Sequence, residues 1–222
     1  MNKEIVIFLH GYATRGGLRA EKARFLHGKF STYSHIDFHA IDFNPTHKDF
    51  QYHTITGMID RLRQYIIERN FAEVSLIGIS QGANVALNYA HRYGDVKRLL
   101  LLAPELFYDS YSTEEALQEW VERVNAQVFH YGFKESTLLN YGHHQDGLRY
   151  VNPPAPPAPM TLIHGVDDPA IPIERSRNYA VQYPDNVDLI EVESDHFLND
   201  QMTLYGKRQE KYLVYNVKII GL

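Results

Sequence analysis

A serine flanked by glycines stands where an apolar run passes into an alanine-rich segment. The sequence there is Gly78-Ile79-Ser80-Gln81-Gly82, after the run 74–77. In a strand-to-helix turn, small residues on either side let the backbones approach closely and hold the central side chain exposed. The start of the helix also favours developing negative charge. The pattern therefore predicts Ser80 as a nucleophile.

A serine hydroxyl attacks well only when a base removes its proton. A nucleophilic Ser80 therefore requires a histidine that is oriented by a carboxylate. The chain has 12 histidines. In folds with this turn, the acid and then the histidine follow the serine along the chain. His196, after the apolar run 187–192, is the predicted base. Asp168, after the run 161–163, is the predicted orienting acid.

Other carboxylates remain open for the acid. Asp167 adjoins Asp168, and Glu105 or Asp109 follows the preceding apolar run. Asp195 is less suitable, because its neighbour in the chain is the histidine it would have to orient. The choice between Asp167 and Asp168 is the closest of these.

A tetrahedral intermediate also needs N–H donors for its oxyanion. The backbone N–H of Gln81, directly after the nucleophile, is predicted as one donor, and the loop after the first strand supplies the other. That loop spans residues 9–17, and within it the N–H of Tyr12 is the predicted donor. His10 is predicted to support the loop without transferring a proton.

The elements that must position these groups alternate along the chain. Short apolar runs, typical of buried strands, lie at 5–9, 36–41, 74–77, 99–102, 161–163 and 187–192. Helical spacing occurs at 20–30, 55–69, 83–93 and 173–182. The alternation predicts an α/β fold with a mostly parallel sheet and helices on both faces. Ligands bind such sheets beyond the carboxyl ends of the strands, which is where the candidate residues fall.

The alternation breaks between residues 104 and 159. This segment is rich in aromatic residues and contains a predicted helix over 113–127, with Ser112 or Thr113 as its N-cap. An insertion of this size at the active edge of a sheet is typical of a cap or lid, although an ordinary helical excursion with its own small core is the alternative. Trp120, Phe107 and Tyr108 are predicted to contact substrate.

Composition excludes several other classes of protein. The net charge is −5 and cysteine is absent, so neither a general attraction to nucleic acid nor thiol chemistry is expected. His143-His144 and the scattered histidines lack a metal-binding spacing, and no metal or cofactor is predicted. No run is long enough for a membrane span or a signal peptide. We expect one domain over 1–222, with the insertion 104–159 inside it, in the cytoplasm.

Taken together, the motifs resemble the α/β-hydrolase superfamily. They are His10-Gly11, the turn at Ser80, the segment from His164-Gly165 through Asp168 to Ile171-Pro172, and Asp195-His196. The short N-terminus and the loop running into residues 19–26 are similar to small bacterial esterases of the YqiA/YcfP type. The resemblance implies an α/β-hydrolase fold without its opening hairpin strands, and a helical cap insert that some compact esterases lack.

These residues together predict a serine esterase. Its substrate would be a small carboxylic ester, cleaved through an acyl-enzyme. The same groups would also suit a thioesterase, a lipase-like enzyme or a C–C bond hydrolase. From another class, a ligand-binding protein on a hydrolase scaffold remains open, because a fold does not determine a function.

Overall fold

The computed structural model describes residues 3–109 and 113–198. In chain order its elements are β1 (Glu4–Leu9), α1 (Glu21–Phe30), β2 (Ile36–Ile41), α2 (His47–Gln51), α3 (Ile55–Glu68), β3 (Val74–Ile79), α4 (Gln81–Tyr93), β4 (Val96–Leu102), α5 (Glu114–Arg123), β5 (Asn125–His130), β6 (Glu135–Asn140), α6 (Gly142–Gly147), β7 (Met160–Gly165), α7 (Glu174–Gln182) and β8 (Val187–Val192). Short 3₁₀ turns lie at Gly17–Arg19 and Leu148–Tyr150.

Within the described residues, six strands form one parallel sheet in the order β2-β1-β3-β4-β7-β8. Both faces are covered, which explains the nearly continuous apolar runs of the central strands. On one face α1 packs against the alternate residues Val6 and Phe8. On the other, α3 and α4 pack against Ile7 and Leu9. The predicted fold class and the six predicted strands are confirmed.

The strand order reverses between β1 and β3. β2 lies on one side of β1, whereas β4, β7 and β8 extend the sheet on the other side of β3. A crevice forms outside the carboxyl ends of parallel strands at such a reversal. The loop that follows β1 and the turn that follows β3 therefore meet at one place.

The segment between β4 and β7 folds differently from the prediction. The predicted helix over 113–127 ends at Arg123, and Asn125–His130 instead pairs antiparallel with Glu135–Asn140. Val124 takes a left-handed φ of 63°, which ends the helix before the hairpin starts. Thr113 caps the helix by accepting a hydrogen bond from the Ala116 N–H at 3.3 Å. Ser112, the alternative cap, lies outside the described residues.

This segment forms a small apolar cluster with parts of the main domain. Trp120 and Leu139, between β4 and β7, are buried with Ala13, from the loop after β1, and Phe50 of α2. The Gly132 N–H donates to the Ala13 carbonyl at 3.2 Å, and Arg15 Nε donates to the Gly132 carbonyl at 2.6 Å. The hairpin therefore packs directly on the loop that follows β1.

Close packing of β1 on α4 predicts a severe effect of a small substitution. A Cβ added at Gly82 would lie 2.3 Å from the Leu9 carbonyl oxygen, whereas one added at Gly28 meets no atom within 4 Å. We expect Gly82→Ala to lower the free energy of unfolding by about 1–3 kcal/mol, because backbone must move apart. Gly28→Ala, inside α1, should raise it by roughly 0.5–1 kcal/mol. Urea denaturation of both variants measures this, and equal midpoints would contradict the packing argument.

Candidate active site

Ser80 has a backbone conformation that L-residues rarely adopt. Its φ is 53° and its ψ is −121°, between the end of β3 and the first residue of α4. Neighbouring glycines make the turn possible, because a Cβ at Gly78 would lie 2.5 Å from the Gly82 carbonyl oxygen. A Cβ at Gly11 would lie 3.2 Å from the Cβ of Ser80. The turn therefore holds the Ser80 hydroxyl at the sheet edge, against the loop that follows β1.

The structure brings the three predicted residues Ser80, His196 and Asp168 into one hydrogen-bonded line. His196 Nε2 lies 3.1 Å from Ser80 Oγ, and His196 Nδ1 lies 2.7 Å from Asp168 Oδ2. The Asp168 side chain is fully buried, and that of His196 is 16% exposed. Because the Nδ1–H donates to a carboxylate, Nε2 is left free to accept the serine proton.

Backbone and side-chain donors surround the Asp168 carboxylate. Its Oδ1 accepts from the N–H groups of Ala170 and Ile171, each at 2.8 Å. Burial alone would raise the pKa of Asp168, but the hydrogen bonds from His164 and His196 outweigh it and hold that pKa well below its usual value. The group therefore stays ionised beside the histidine.

His164 is a site residue to which sequence reasoning gave no role. Its Nε2 lies 3.1 Å from Asp168 Oδ2 and 3.0 Å from the Ile171 carbonyl, both of which only accept. Nε2 is therefore the protonated nitrogen, and Nδ1 accepts from the Ser176 hydroxyl at 2.7 Å. His164 is fully buried, so it fixes the position of the carboxylate from behind. The sequence signal for it was the pair His164-Gly165, which ends a strand as His10-Gly11 does and stands among the motifs that carry the resemblance.

The alternative carboxylates lie elsewhere. Asp167 is exposed, and its side chain makes no hydrogen bond within the described residues. Asp109 pairs with Arg175 at 2.5 Å. Asp195 accepts from the Phe197 N–H at 2.9 Å. Glu105 lies in the cavity beside Ser80, but it hydrogen-bonds to neither His196 nor His164.

The two predicted oxyanion donors face the same cavity as Ser80. Tyr12 and Gln81 both line it, and within 3–109 and 113–198 neither backbone N–H donates a hydrogen bond to another protein group. For Gln81 this follows from its place in the first turn of α4, where N–H groups have no partner in the helix.

His10 anchors the loop that carries Tyr12. Its Nε2 accepts from the Phe43 N–H at 3.0 Å, so Nδ1 carries the proton and donates to the Gly11 carbonyl at 2.9 Å. Burial lowers the pKa of His10, which keeps the ring neutral in this arrangement. Its predicted supporting role agrees with these contacts.

Two further histidines lie behind the loop. His143 Nδ1 donates to the His53 carbonyl at 3.2 Å, and its Nε2 lies 3.4 Å from Nε2 of the Gln81 side chain. The Tyr12 ring contacts both imidazoles, with centroids 5.9 Å away in each case. Burial lowers the pKa of His143 to about 4 and that of His53 well below its ordinary value. Neutral histidines thus support both candidate donors.

The cavity in front of Ser80 has a volume of about 1570 Å³. Tyr12, Tyr108, Trp120 and Leu139 are among its apolar walls. Trp120 and Tyr108 therefore lie where sequence reasoning expected them. Phe107 does not line the cavity; it packs against the main core, with the Arg175 guanidinium 4.6 Å from its ring centroid.

The described residues contain no group of three or more side chains arranged to hold a metal ion. Nor does any described helix have the length and apolar character needed to cross a membrane.

Comparison with solved structures identifies the fold of the protein. Mouse alpha/beta hydrolase domain-containing protein 10 superposes with a TM-score of 0.71 at 18% identity, covering 90% of this chain and 85% of that one. Est1E from Butyrivibrio proteoclasticus, solved with ferulic acid bound, gives 0.69 at 16% identity, covering 98% and 90%. A structure from a study of carboxylesterases of Nitrososphaera gargenis gives 0.66 at 14% identity, covering 99% and 91%. The protein has the α/β-hydrolase fold.

The family follows from the sequence match. Residues 43–203 match the model of the serine hydrolase family FSH1, which is more than half of the chain. The chain therefore belongs to the FSH1 family of serine hydrolases. No curated protein sequence matches it. The narrower resemblance to YqiA/YcfP-type esterases stays a prediction.

The neutral histidines behind the loop predict an acid-sensitive fold. His53 and His143 stay neutral in the folded state, whereas in the unfolded chain they bind protons below about pH 6.5. The contribution of these two rings to stability is therefore complete above pH 6.5 and falls as the pH drops toward 4, by up to about 1.4 kcal/mol per pH unit for each ring. Urea midpoints at pH 7.5, 6 and 5 measure the fall.

Substitution separates these rings from the other titrating groups. His143→Gln should reduce the slope between pH 6 and 5 by one proton, whereas His35→Gln, at an exposed position, should leave it unchanged. If His143→Gln and wild type show the same slope, the buried ring accepts its proton without cost.

Proposed function

We propose that this serine hydrolase cleaves carboxylic esters through an acyl-enzyme, with Ser80, His196 and Asp168 as its triad. One observation carries the proposal: Ser80 Oγ stands on a strained turn at the start of α4, 3.1 Å from an imidazole nitrogen that is free to accept its proton. That combination is what nucleophilic catalysis by serine requires.

The geometry supports a two-step reaction. His196 Nε2 takes the Ser80 proton as Oγ attacks the ester carbonyl, and Asp168 stabilises the imidazolium that forms. The backbone N–H groups of Tyr12 and Gln81 donate to the oxyanion. The imidazolium then protonates the leaving alcohol as the C–O bond breaks, which leaves acyl-Ser80. Water, deprotonated by His196, attacks the acyl-enzyme and releases the acid.

The insertion 104–159 forms much of the substrate wall in this proposal. Tyr108, Trp120 and Leu139 contribute aromatic and apolar surface to a cavity large enough for a medium-chain or aromatic group. Est1E, which shares the fold and was solved with ferulic acid bound, is consistent with an aromatic acyl group. A lid role for the insertion belongs to the same proposal.

Replacement of the nucleophile tests the reaction. We expect Ser80→Ala to lose about 10⁴-fold or more in kcat for p-nitrophenyl butyrate, because no acyl-enzyme can form. Ser31→Ala, at an exposed position, is the matched control and should retain full activity. A fluorophosphonate probe should label wild type and the control but not Ser80→Ala. Equal rates in the two variants would end the assignment.

The two adjacent aspartates give a second test. Asp168→Asn should lower kcat by up to about 10⁴-fold, because an amide at that position no longer stabilises the imidazolium. Asp167→Asn should retain most activity, since its side chain is exposed and unbonded within the described residues. Stopped assays of both variants at pH 8 compare them, and the reverse ranking would assign the acid to Asp167.

The other candidates use the same residues. A thioesterase would cleave acyl thioesters faster than the matching oxygen esters, and a C–C bond hydrolase would act on diketones. A binding protein would leave Ser80 unlabelled by fluorophosphonate. The free Nε2 of His196 beside Ser80 Oγ favours catalysis over binding alone.

A further inference from the structure

Glu105 is a buried acid that the proposed reaction does not use. It follows β4 closely, and its backbone N–H donates to the Ser80 carbonyl at 3.2 Å. The residue is 7% exposed and belongs to the cavity lining. Its side chain is therefore nearly enclosed beside the nucleophile, and what exposure it has adjoins the space that a substrate would occupy.

The Glu105 carboxyl makes no hydrogen bond within 3–109 and 113–198. The neighbouring cation, Arg175, pairs with Asp109 at 2.5 Å and lies over the Phe107 ring. The Glu105 oxygens are not among the fully buried side-chain atoms that lack a partner, so they open onto the cavity. A substrate group that enters the cavity can therefore hydrogen-bond the carboxyl.

The protonation state of Glu105 limits which chemical groups its carboxyl can bind. Burial raises the pKa of Glu105 to about 8, with Asp109 adding to the rise and Arg175 opposing it. At neutral pH the carboxyl is therefore mainly protonated, with one O–H donor and a carbonyl acceptor. A hydroxyl group, which also both donates and accepts, matches it best. An ammonium group would require an ionised partner and would approach Arg175.

We propose that Glu105 is a substrate-binding residue that hydrogen-bonds a hydroxyl group of the ester substrate, so that the site selects hydroxylated esters over the same esters without the hydroxyl. The inference rests on the proposed esterase function and adds its substrate class. The Tyr12 and Tyr108 rings, which line the same cavity, would pack against the apolar part of the group that carries the hydroxyl.

Matched ester pairs test the selection. Three pairs are compared. They are methyl hexanoate and methyl 6-hydroxyhexanoate, methyl 3-phenylpropanoate and methyl 3-(4-hydroxyphenyl)propanoate, and ethyl butyrate and 2-hydroxyethyl butyrate. Wild type should show about tenfold higher kcat/KM for the hydroxylated member of at least one pair, the effect of one added hydrogen bond. Equal or lower values for all the hydroxylated members would overturn the proposal.

Substitutions assign the preference to this carboxyl. Glu105→Gln, whose amide also donates and accepts, should keep it, whereas Glu105→Leu should abolish it and raise kcat/KM for the plain ester. Glu122→Leu, exposed and outside the cavity, should behave as wild type. If Glu105→Leu keeps the preference, Glu105 does not bind the hydroxyl. The same follows if Glu105→Gln lowers kcat/KM equally for both esters of a pair.

A labelling experiment separates this inference from the proposed function. Fluorophosphonate should label Ser80 equally in wild type and in Glu122→Leu, because the probe reacts with the triad and needs no hydroxyl group. Labelling without a hydroxyl preference would refute the inference and leave the serine hydrolase intact. A wild type that is not labelled would refute the proposed function itself.

Discussion

The close approach of three backbone segments at Ser80 is the constraint on which the site depends. A residue at φ 53° and ψ −121° carries about 1–3 kcal/mol of strain, which the surrounding structure must outweigh. Three backbone hydrogen bonds hold it: the Ser80 N–H donates to the Leu102 carbonyl, and the Ser80 carbonyl accepts from the N–H groups of Ala83 and Glu105. Glycine at 78 and 82 lets α4 lie against β1 and β3. The parallel sheet thus stabilises a turn that would not persist alone.

The negative charge of Asp168 depends on the hydrogen-bond donors around it. Asp168 lies where water is excluded, yet it stays ionised because four donors converge on its two oxygens: two backbone N–H groups, His196 and His164. Hydrogen bonds to an ionised group are stronger than neutral ones, and more so in a dry site. Orientation of His196 is therefore a consequence of the packing of β7, β8 and the loops that follow them.

The local sequence pattern was sufficient to predict the strands of the sheet and to select Ser80, His196 and Asp168 as candidates. The strands are buried on both faces and read as apolar runs, and the turn at Ser80 has short-range requirements that residues 78–82 display. The hairpin at 125–140 was missed because its stability depends on pairing between separate segments and on packing against Ala13 and Phe50. Helical spacing alone extended α5 too far. The residue type of Phe107 predicts a substrate contact, whereas the direction of its side chain depends on tertiary contacts, which place it against the main core.

The central claim is that Ser80 Oγ forms a covalent acyl intermediate, and trapping that intermediate tests it most directly. Wild-type protein mixed with p-nitrophenyl pivalate, whose bulky acyl group hydrolyses slowly, would be quenched in acid within a second and measured by intact and peptide mass spectrometry. We predict a mass increase of one pivaloyl group, located on Ser80. Release of p-nitrophenol with no adduct, or with the adduct on another residue, would contradict the account.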